Sequence, residues 1–337
     1  MTATPAVEPS IVPTEPVPSR GRRVGPYVAA AVLLVLVAVP LFLAPFATTT
    51  LTRVLVFALL AVSLDLLVGV TGLPSLGHAA YFGVGAYGAG LFSIHVTAAA
   101  PLPLLAGMAA GAVGAALTGW VAVRAHGVFF LMLTLAIGEI LTQVAQTWDE
   151  VTGGFNGLVG IPATTLGSTP LSALSTAGLL YWYVLAAALV GFALVWLVAR
   201  SPFGAALRGI RDNEPRTRAV GYPTSLYKYA AFVLAGSVAG LAGALFVAQG
   251  TPRLITPVDL GFTTSALMLL AVVIGGAGSL WGAALGAALV ILVRDAIGPT
   301  LGGHGELVLG LVFVAVVYLL PQGAAGLARI GLRRRGP

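Results

Sequence analysis

Apolar runs of about twenty residues dominate this chain, and about twenty residues is the length at which an α-helix crosses the ~30 Å hydrocarbon core of a bilayer. The runs fall at 27–46, 51–70, 77–97, 101–122, 127–147, 179–199, 229–249, 261–277, 280–297 and 306–321. Only 8% of the residues are charged and 58% are hydrophobic, whereas an ordinary soluble domain has about 25% charged residues. Too little charge remains to clothe a water-facing surface, so lipid is the expected solvent. The predicted fold class is all-α, a polytopic transmembrane helix bundle of about ten spans.

Charge placement orients the bundle. Fourteen of the seventeen Lys and Arg residues fall on alternate connections that share one side: the segment before 27, Arg124, the stretch from Arg200 to Lys228, and the stretch from Arg329 to Arg335. Only Arg53, Arg253 and Arg294 fall near the other side. Cytoplasmic connections carry such an excess, so both termini are expected inside. The formal net charge of +6 is thus explained by topology, and nucleic acid is not an expected partner. The sequence divides into a Pro/Thr/Ser-rich, disordered cytoplasmic tail at 1–26, a transmembrane domain at 27–328 and a basic cytoplasmic tail at 329–337. The first apolar run is longer than the core of a signal peptide and many spans follow, so it is expected to remain as a span.

Two connections exceed simple turns. The external loop 148–178 carries Asp149 and Glu150 and no Lys or Arg. The cytoplasmic loop 200–228 reads as two short helices. Ser201 and Pro202 form an N-cap followed by Pro at the first helical position, and Phe203, Leu207 and Ile210 then repeat at helical spacing opposite Arg208 and Arg211. Pro215 breaks that helix and opens a second, which Gly221 would close ahead of Pro223. The apolar face of the first helix must be buried against something: a protein partner, or a lipid surface of the kind basic amphipathic helices bind.

Several chemistries are excluded or disfavoured. No cysteine is present, which removes disulfides, thiolate metal sites and a Cys nucleophile. The sole lysine, Lys228, is not in a phosphate-binding loop, so ATP chemistry must belong to another subunit. Gly83, Gly85 and Gly88 match a dinucleotide-binding pattern, but they sit inside an apolar run with no strand before them, and helix packing accounts for them. Gly107 with Gly111, Gly236 with Gly240, and the series Gly278, Gly282 and Gly286 have the four-residue spacing that lets membrane helices approach closely. His78, His95, His126 and His304 have no second ligand at helical spacing, so no metal site is expected.

Polar residues inside the spans are the candidates for a translocation path. Asp65 and Glu139 lie well within apolar runs, where an ionised group costs at least ~2.5 kcal/mol unless it faces protein or water. Glu139, Thr142, Gln143 and Gln146 share one face of their helix. That face lines either an aqueous path or a polar helix contact. His78 stands at the start of a span, where a packing or helix-end role competes with a proton relay.

Several segments together resemble one family. They are Ser75-Leu76-Gly77-His78-Ala79-Ala80-Tyr81-Phe82-Gly83-Val84-Gly85-Ala86-Tyr87, Thr152-Gly153-Gly154-Phe155-Asn156-Gly157-Leu158, Gly275-Gly276-Ala277-Gly278-Ser279-Leu280-Trp281-Gly282, and Pro321-Gln322-Gly323. The most telling is Phe203-Gly204-Ala205-Ala206-Leu207-Arg208-Gly209-Ile210-Arg211-Asp212-Asn213-Glu214. From residue 27 to about 328 the chain resembles the permease subunits of branched-chain amino-acid ABC importers, LivM-like. Ala283 stands where that family often has Pro, and Pro215 where it usually has a helix former. The resemblance implies that Phe203, Leu207, Arg208, Ile210, Arg211, Asp212 and Glu214 form a coupling loop on a separate ATPase. It also implies that Gly153, Gly154, Phe155, Asn156 and Gly157 face a substrate-binding protein outside.

The expected partners are two ATP-binding subunits, a second homologous permease subunit, the extracytoplasmic binding protein and membrane lipid. No cofactor is expected in this chain, since ATP and Mg would be held by the ATPase. The expected function is inward transport of leucine, isoleucine and valine across the bacterial inner membrane. A permease for urea or another small polar amide is the alternative in the same class. An ion-coupled secondary transporter using Asp65 and Glu139 comes from another class, and the capped helices of loop 200–228 argue against it. A membrane enzyme lacks paired acids, a metal cluster or an activated nucleophile. Segments 72–80 and 276–284 agree at five of nine positions, a weak trace of an internal repeat.

Overall fold

A computed structural model describes residues 31–38, 40, 45–167, 169–171, 177–250 and 253–297, with single helical positions at 307, 310, 311, 314, 315 and 318. The two expected tails, parts of the first span, nearly all of the last, His304 and Pro321-Gln322-Gly323 lie outside the described residues. Helices follow the apolar runs. Residues 31–38 form α1. Then come α2 (Pro45–Asp65), continued by a π-helical turn (Leu66–Thr71), α3 (His78–His95), α4 (Leu102–Ala122), α5 (Val128–Thr147) and the single turn α6 (Asp149–Thr152). The remainder is α7 (Ala177–Arg200), α8 (Pro202–Ala219), α9 (Thr224–Gln249), α10 (Phe262–Gly275) and α11 (Leu280–Leu292), which a second π turn (Val293–Ile297) extends. A minimal antiparallel hairpin, β1 (Thr165–Leu166) with β2 (Thr169–Pro170), lies in the long loop before α7.

Among the described residues five helices are long and apolar enough to cross a membrane: Ala47–Thr71, Leu102–Ala122, Val128–Thr147, Gly178–Arg200 and Thr224–Gln249. The run at 261–277 departs from expectation. Its helix α10 has 14 residues, about 21 Å at 1.5 Å per residue, too short for a full span. Apolarity continues past Gly275, but Gly276 and Gly278 adopt φ of 97° and 86°, a left-handed conformation that ends the helix and folds the chain back into α11. A hydropathy pattern carries no trace of such a turn.

The connections gather at two ends. At one, His126 from the α4–α5 turn meets Glu214 of α8 and Lys228 of α9; this end also bears Arg124, Arg200, Arg208, Arg211, Arg216 and Arg218 in the same connections. At the other, Ala99 pairs with Thr165 and Leu158 with Ile255, tying the α3–α4, α5–α7 and α9–α10 loops together.

α2 and α9 form the buried centre. α9 packs backbone to backbone on α3 and α4: a Cβ at Gly243 would meet the Ala86 backbone nitrogen at 2.8 Å, and one at Gly240 would meet Gly111 Cα at 2.9 Å. Apolar attraction between helices is weak in lipid, and close backbone approach supplies dispersion contacts in its place. Gly83 and Gly88 abut Leu260 and Ala110, Gly282 and Gly286 abut the Gly275 and Ala271 carbonyls, and Gly278 lies against Gly69. Gly240→Val is therefore expected to remove the monodisperse peak of a fluorescent fusion in size-exclusion chromatography. Gly178→Val, where an added Cβ meets nothing within 4 Å, should retain it. A normal peak for the Gly240 variant would contradict the close approach.

Candidate functional site

α8 is built as the sequence suggests, from two helical pieces. The Ser201 hydroxyl accepts from the Gly204 N–H at 3.3 Å, and Pro202 occupies the first turn. The helix breaks at Asn213, whose extended backbone (φ −160°, ψ 94°) interrupts it. The Asn213 side chain then caps the second piece by accepting from the Arg216 N–H at 3.0 Å. With Asn213 as the cap, Pro215 falls in the first turn of the second piece, where its missing N–H costs no helical hydrogen bond. Gly221, with φ of 101°, follows the second piece.

The apolar face of α8 does not point away from the chain. Leu207 and Ile210 are buried, and Phe203 stacks on Tyr227 of α9 with ring centroids 5.3 Å apart. This corrects the expectation that Phe203, Leu207 and Ile210 await a separate partner: α7, α9 and the π turn of α2 already cover them. The two arginines are also engaged within the chain. Arg208 Nη1 donates to the Ala199 carbonyl at 2.6 Å, capping the end of α7, and Arg211 Nη1 donates to the Gly69 carbonyl while its guanidinium pairs with Asp212 at 3.2 Å. The face left open is a different one. Pro202, Ala205, Arg216, Val220 and Tyr222 line a shallow groove of about 440 Å³ between the two pieces, and Val220 and Leu226 are largely exposed beside it.

Arg211 connects α8 to the interior. Its acceptor, Gly69, sits in the π turn one helical turn beyond Asp65. Asp65 is fully buried, and its Oδ1 accepts from the Gly278 N–H at 2.8 Å. Gly278 lies in the turn between α10 and α11, and a side chain at Gly69 would strike both that turn and the Asp65 carboxylate. α8, the end of α2 and the α10–α11 turn thus touch in sequence.

Lys228 anchors the second piece. It is almost wholly buried, and its Nζ donates to Glu214 Oε1 at 3.0 Å and Oε2 at 3.1 Å. Glu214 also accepts from Arg218 at 2.8 Å and Thr224 at 3.1 Å, with His126 Nε2 3.6 Å away. Burial pushes the Glu214 carboxyl up, but the bond and charge of Lys228, with Thr224 and His126, outweigh it and hold the group below its ordinary value. A depressed carboxyl stabilises the fold above its unfolded pKa, and that contribution is lost as pH falls through the folded one.

The path candidates separate into two groups. Asp65 and His78 face the chain's own interior. His78 Nε2 lies 2.9 Å from the Ser63 hydroxyl, which itself donates to the Leu60 carbonyl at 2.7 Å. The hydroxyl proton is thereby used, and the imidazole acts as donor to Ser63. Glu139 and Gln143 are exposed on the outward face of α5 and Gln146 is half-buried, whereas Thr142 turns inward and bonds Gly138. The expected single stripe is therefore split, because four residues spread over about two turns bracket the edge of a helix face. Glu139 is not interior to the chain as expected of a buried acid.

At the opposite end, Gly153, Gly154 and Gly157 take φ of 74°, 60° and 79°, so each supplies a conformation that a side chain would strain. They fold the segment back so that Gly157 abuts the Ile255 carbonyl and Phe155 projects, 76% exposed, beside exposed Asn156. Trp148 and Val159 of the same loop are exposed as well.

Comparison with known proteins gives a family match to the branched-chain amino acid transport system permease component over residues 46–317. The chain belongs to this family. The high-affinity branched-chain amino acid transport system permease proteins LivM of Salmonella typhimurium and Escherichia coli are each 29% identical over 325 residues, covering 90% of this chain and 75% of theirs. The autoinducer 2 import system permease protein LsrC of Shigella flexneri is 28% identical over 227 residues, 64% of this chain and 60% of its own. No solved structure matches. The chain is a helical membrane permease component, and its apolar helices are those of a membrane protein.

Within this permease, sequence reasoning missed Lys228, Thr224 and His126 as companions of Glu214. One signal was available: a lone lysine at the first turn of an apolar run needs a carboxylate.

Proposed function

We propose that this chain is one permease subunit of an ATP-driven importer that moves leucine, isoleucine and valine into the cell. It lies in the bacterial cytoplasmic membrane as a multi-pass protein with both termini inside. Two ATP-binding subunits hold ATP and Mg and hydrolyse the nucleotide, a second homologous permease completes the membrane unit, and an extracytoplasmic binding protein delivers the substrate. The observation that carries this reading is α8: a capped, two-piece helix at the basic end, anchored inward by Leu207, Arg208 and Arg211, with its outer groove open.

ATPase closure pushes on that groove. Through Arg211 and Gly69 the push reaches the end of α2, and through Asp65 it reaches the α10–α11 turn. A rigid-body shift of packed helices follows. Glu139 and Gln143, exposed at the middle of an apolar helix, need a polar neighbour in the assembly. The second permease supplies it, and the path runs along that face. Phe155 and its glycine-built turn receive the binding protein. Membrane vesicles holding all subunits are expected to accumulate radiolabelled leucine only with internal ATP, the ATPase and the binding protein present. Leucine uptake driven by a proton or sodium gradient without the ATPase would overturn the proposal.

A further inference from the structure

At the end opposite α8 the bundle contains a cleft of about 420 Å³, within the roughly 300–1,000 Å³ of small-molecule sites. Its floor is aromatic. Phe57 of α2, Phe82 of α3 and Phe246 of α9 form a closed triangle, with ring centroids 5.8, 5.4 and 6.1 Å apart. Its rim is ionic, and the signs balance. Arg53 and Arg294 supply two cations, and Asp259 and Asp295 two anions. Arg53 pairs with Asp295 at 2.9 Å, while one oxygen of Asp259 is held by the Thr256 N–H at 3.0 Å and hydroxyl at 2.9 Å.

Four charges of balanced sign above a cluster of three phenylalanine rings fit one ligand chemistry closely. An anion or a cation alone would leave part of the rim unpaired. A ligand bearing both charges at one end and a hydrocarbon at the other satisfies both zones: its carboxylate takes a guanidinium, its ammonium takes a carboxylate, and its side chain lies on the phenylalanines. Opening the half-exposed Arg53–Asp295 pair costs little, since exposed pairs are worth ~0–1 kcal/mol, and two charge-assisted bonds replace it.

We propose that this cleft binds a free α-amino acid with an apolar side chain, as a zwitterion, within this single subunit at the end where substrate enters. The inference rests on the amino-acid importer reading and goes beyond it by placing a substrate site inside the chain, apart from the face of α5 that carries Glu139. The π turn at Val293–Ile297, which sets Arg294 and Asp295 at the rim, belongs to a helix distortion frequent at functional sites.

The test uses the complete transporter in lipid nanodiscs without binding protein. A leucine analogue carrying a photoreactive diazirine in its side chain is cross-linked, and the adducts are mapped by mass spectrometry. Adducts are expected on α2 near Phe57, on the end of α9 near Phe246 and at Val258, and excess leucine should suppress them. Isoamylamine, which lacks the carboxylate, and 4-methylpentanoate, which lacks the ammonium, should not. Arg53→Gln should weaken labelling about tenfold or more, as expected for loss of a charged hydrogen bond. Arg294→Gln serves as the second variant if the first does not assemble. Labelling confined to other surfaces, equal protection by either half-molecule, or undiminished labelling in both variants would overturn the proposal. Leucine uptake by vesicles of the unmodified transporter is measured in parallel. Uptake without cleft labelling refutes the cleft alone, and absence of uptake refutes the substrate reading itself.

Discussion

Replacing Glu214 with Ala is expected to destabilise the loop end of the protein by about 3–5 kcal/mol, because it leaves the buried Lys228 ammonium without its carboxylate. Lys228 is 2% exposed and Glu214 18%, so water does little to replace the lost partner. Removing both charges should cost far less: in Glu214→Ala/Lys228→Met the methionine fills similar volume with no charge to solvate. Thermal unfolding of the purified subunit in detergent, followed by monodispersity, measures both. The single variant should melt well below the parent and the double variant should recover most of the difference. Equal melting of the single variant and the parent would mean that the ammonium finds solvent and that the network carries little weight. The same network weakens on acidification, since Glu214 is protonated as pH falls through its lowered pKa.

The second large effect separates the two faces of α8. Leu207 is fully buried, and Leu207→Asp places a carboxylate where nothing compensates it, at a cost of several kcal/mol. Loss of folded protein is expected, not a folded permease that has merely lost its ATPase. Val220, 73% exposed on the outer side, gives the opposite prediction. Val220→Asp should fold normally while reducing both ATPase co-purification and leucine uptake about tenfold or more, the scale of an interface hot spot. Full recovery of ATPase with the Val220 variant would remove the outer groove from the docking surface. A soluble, well-folded Leu207→Asp permease would show that the inner face is not part of the core.

What the sequence disclosed follows from which forces are periodic. The helices α2, α3, α4, α5, α7 and α9 track apolar runs because lipid and packing select the same residues along a whole span. The caps of α8 were legible because Ser201, Pro202 and Gly221 act locally, through their own backbone geometry. The short α10 and its turn were not, since Gly276 and Gly278 end a helix by backbone conformation within an unbroken apolar stretch. The similarity of segments 72–80 and 276–284 did mark two places where a positive-φ glycine interrupts helical structure, at Gly72 and at Gly276 and Gly278.

Which face of α8 turns inward was hidden because an amphipathic pattern states that a face is buried and leaves open by what. Arg211, Gly69, Asp65 and Gly278 are brought together only by tertiary packing, across separations of 142 and 213 residues. The polar stripe on α5 was read as one face because helical spacing alone does not locate the boundary between the chain's interior and its surface.

The central claim, that an ATPase seats on the outer groove of α8 and drives transport through it, can be tested by site-directed cross-linking. The chain has no cysteine of its own, so Ala205→Cys, exposed in the groove, gives this subunit a single thiol. With a short bifunctional reagent in transporter that imports leucine, the account predicts a cross-link from position 205 to the ATPase whose yield changes when ATP is added. Transport-competent complexes that form no such cross-link, with or without ATP, would contradict it.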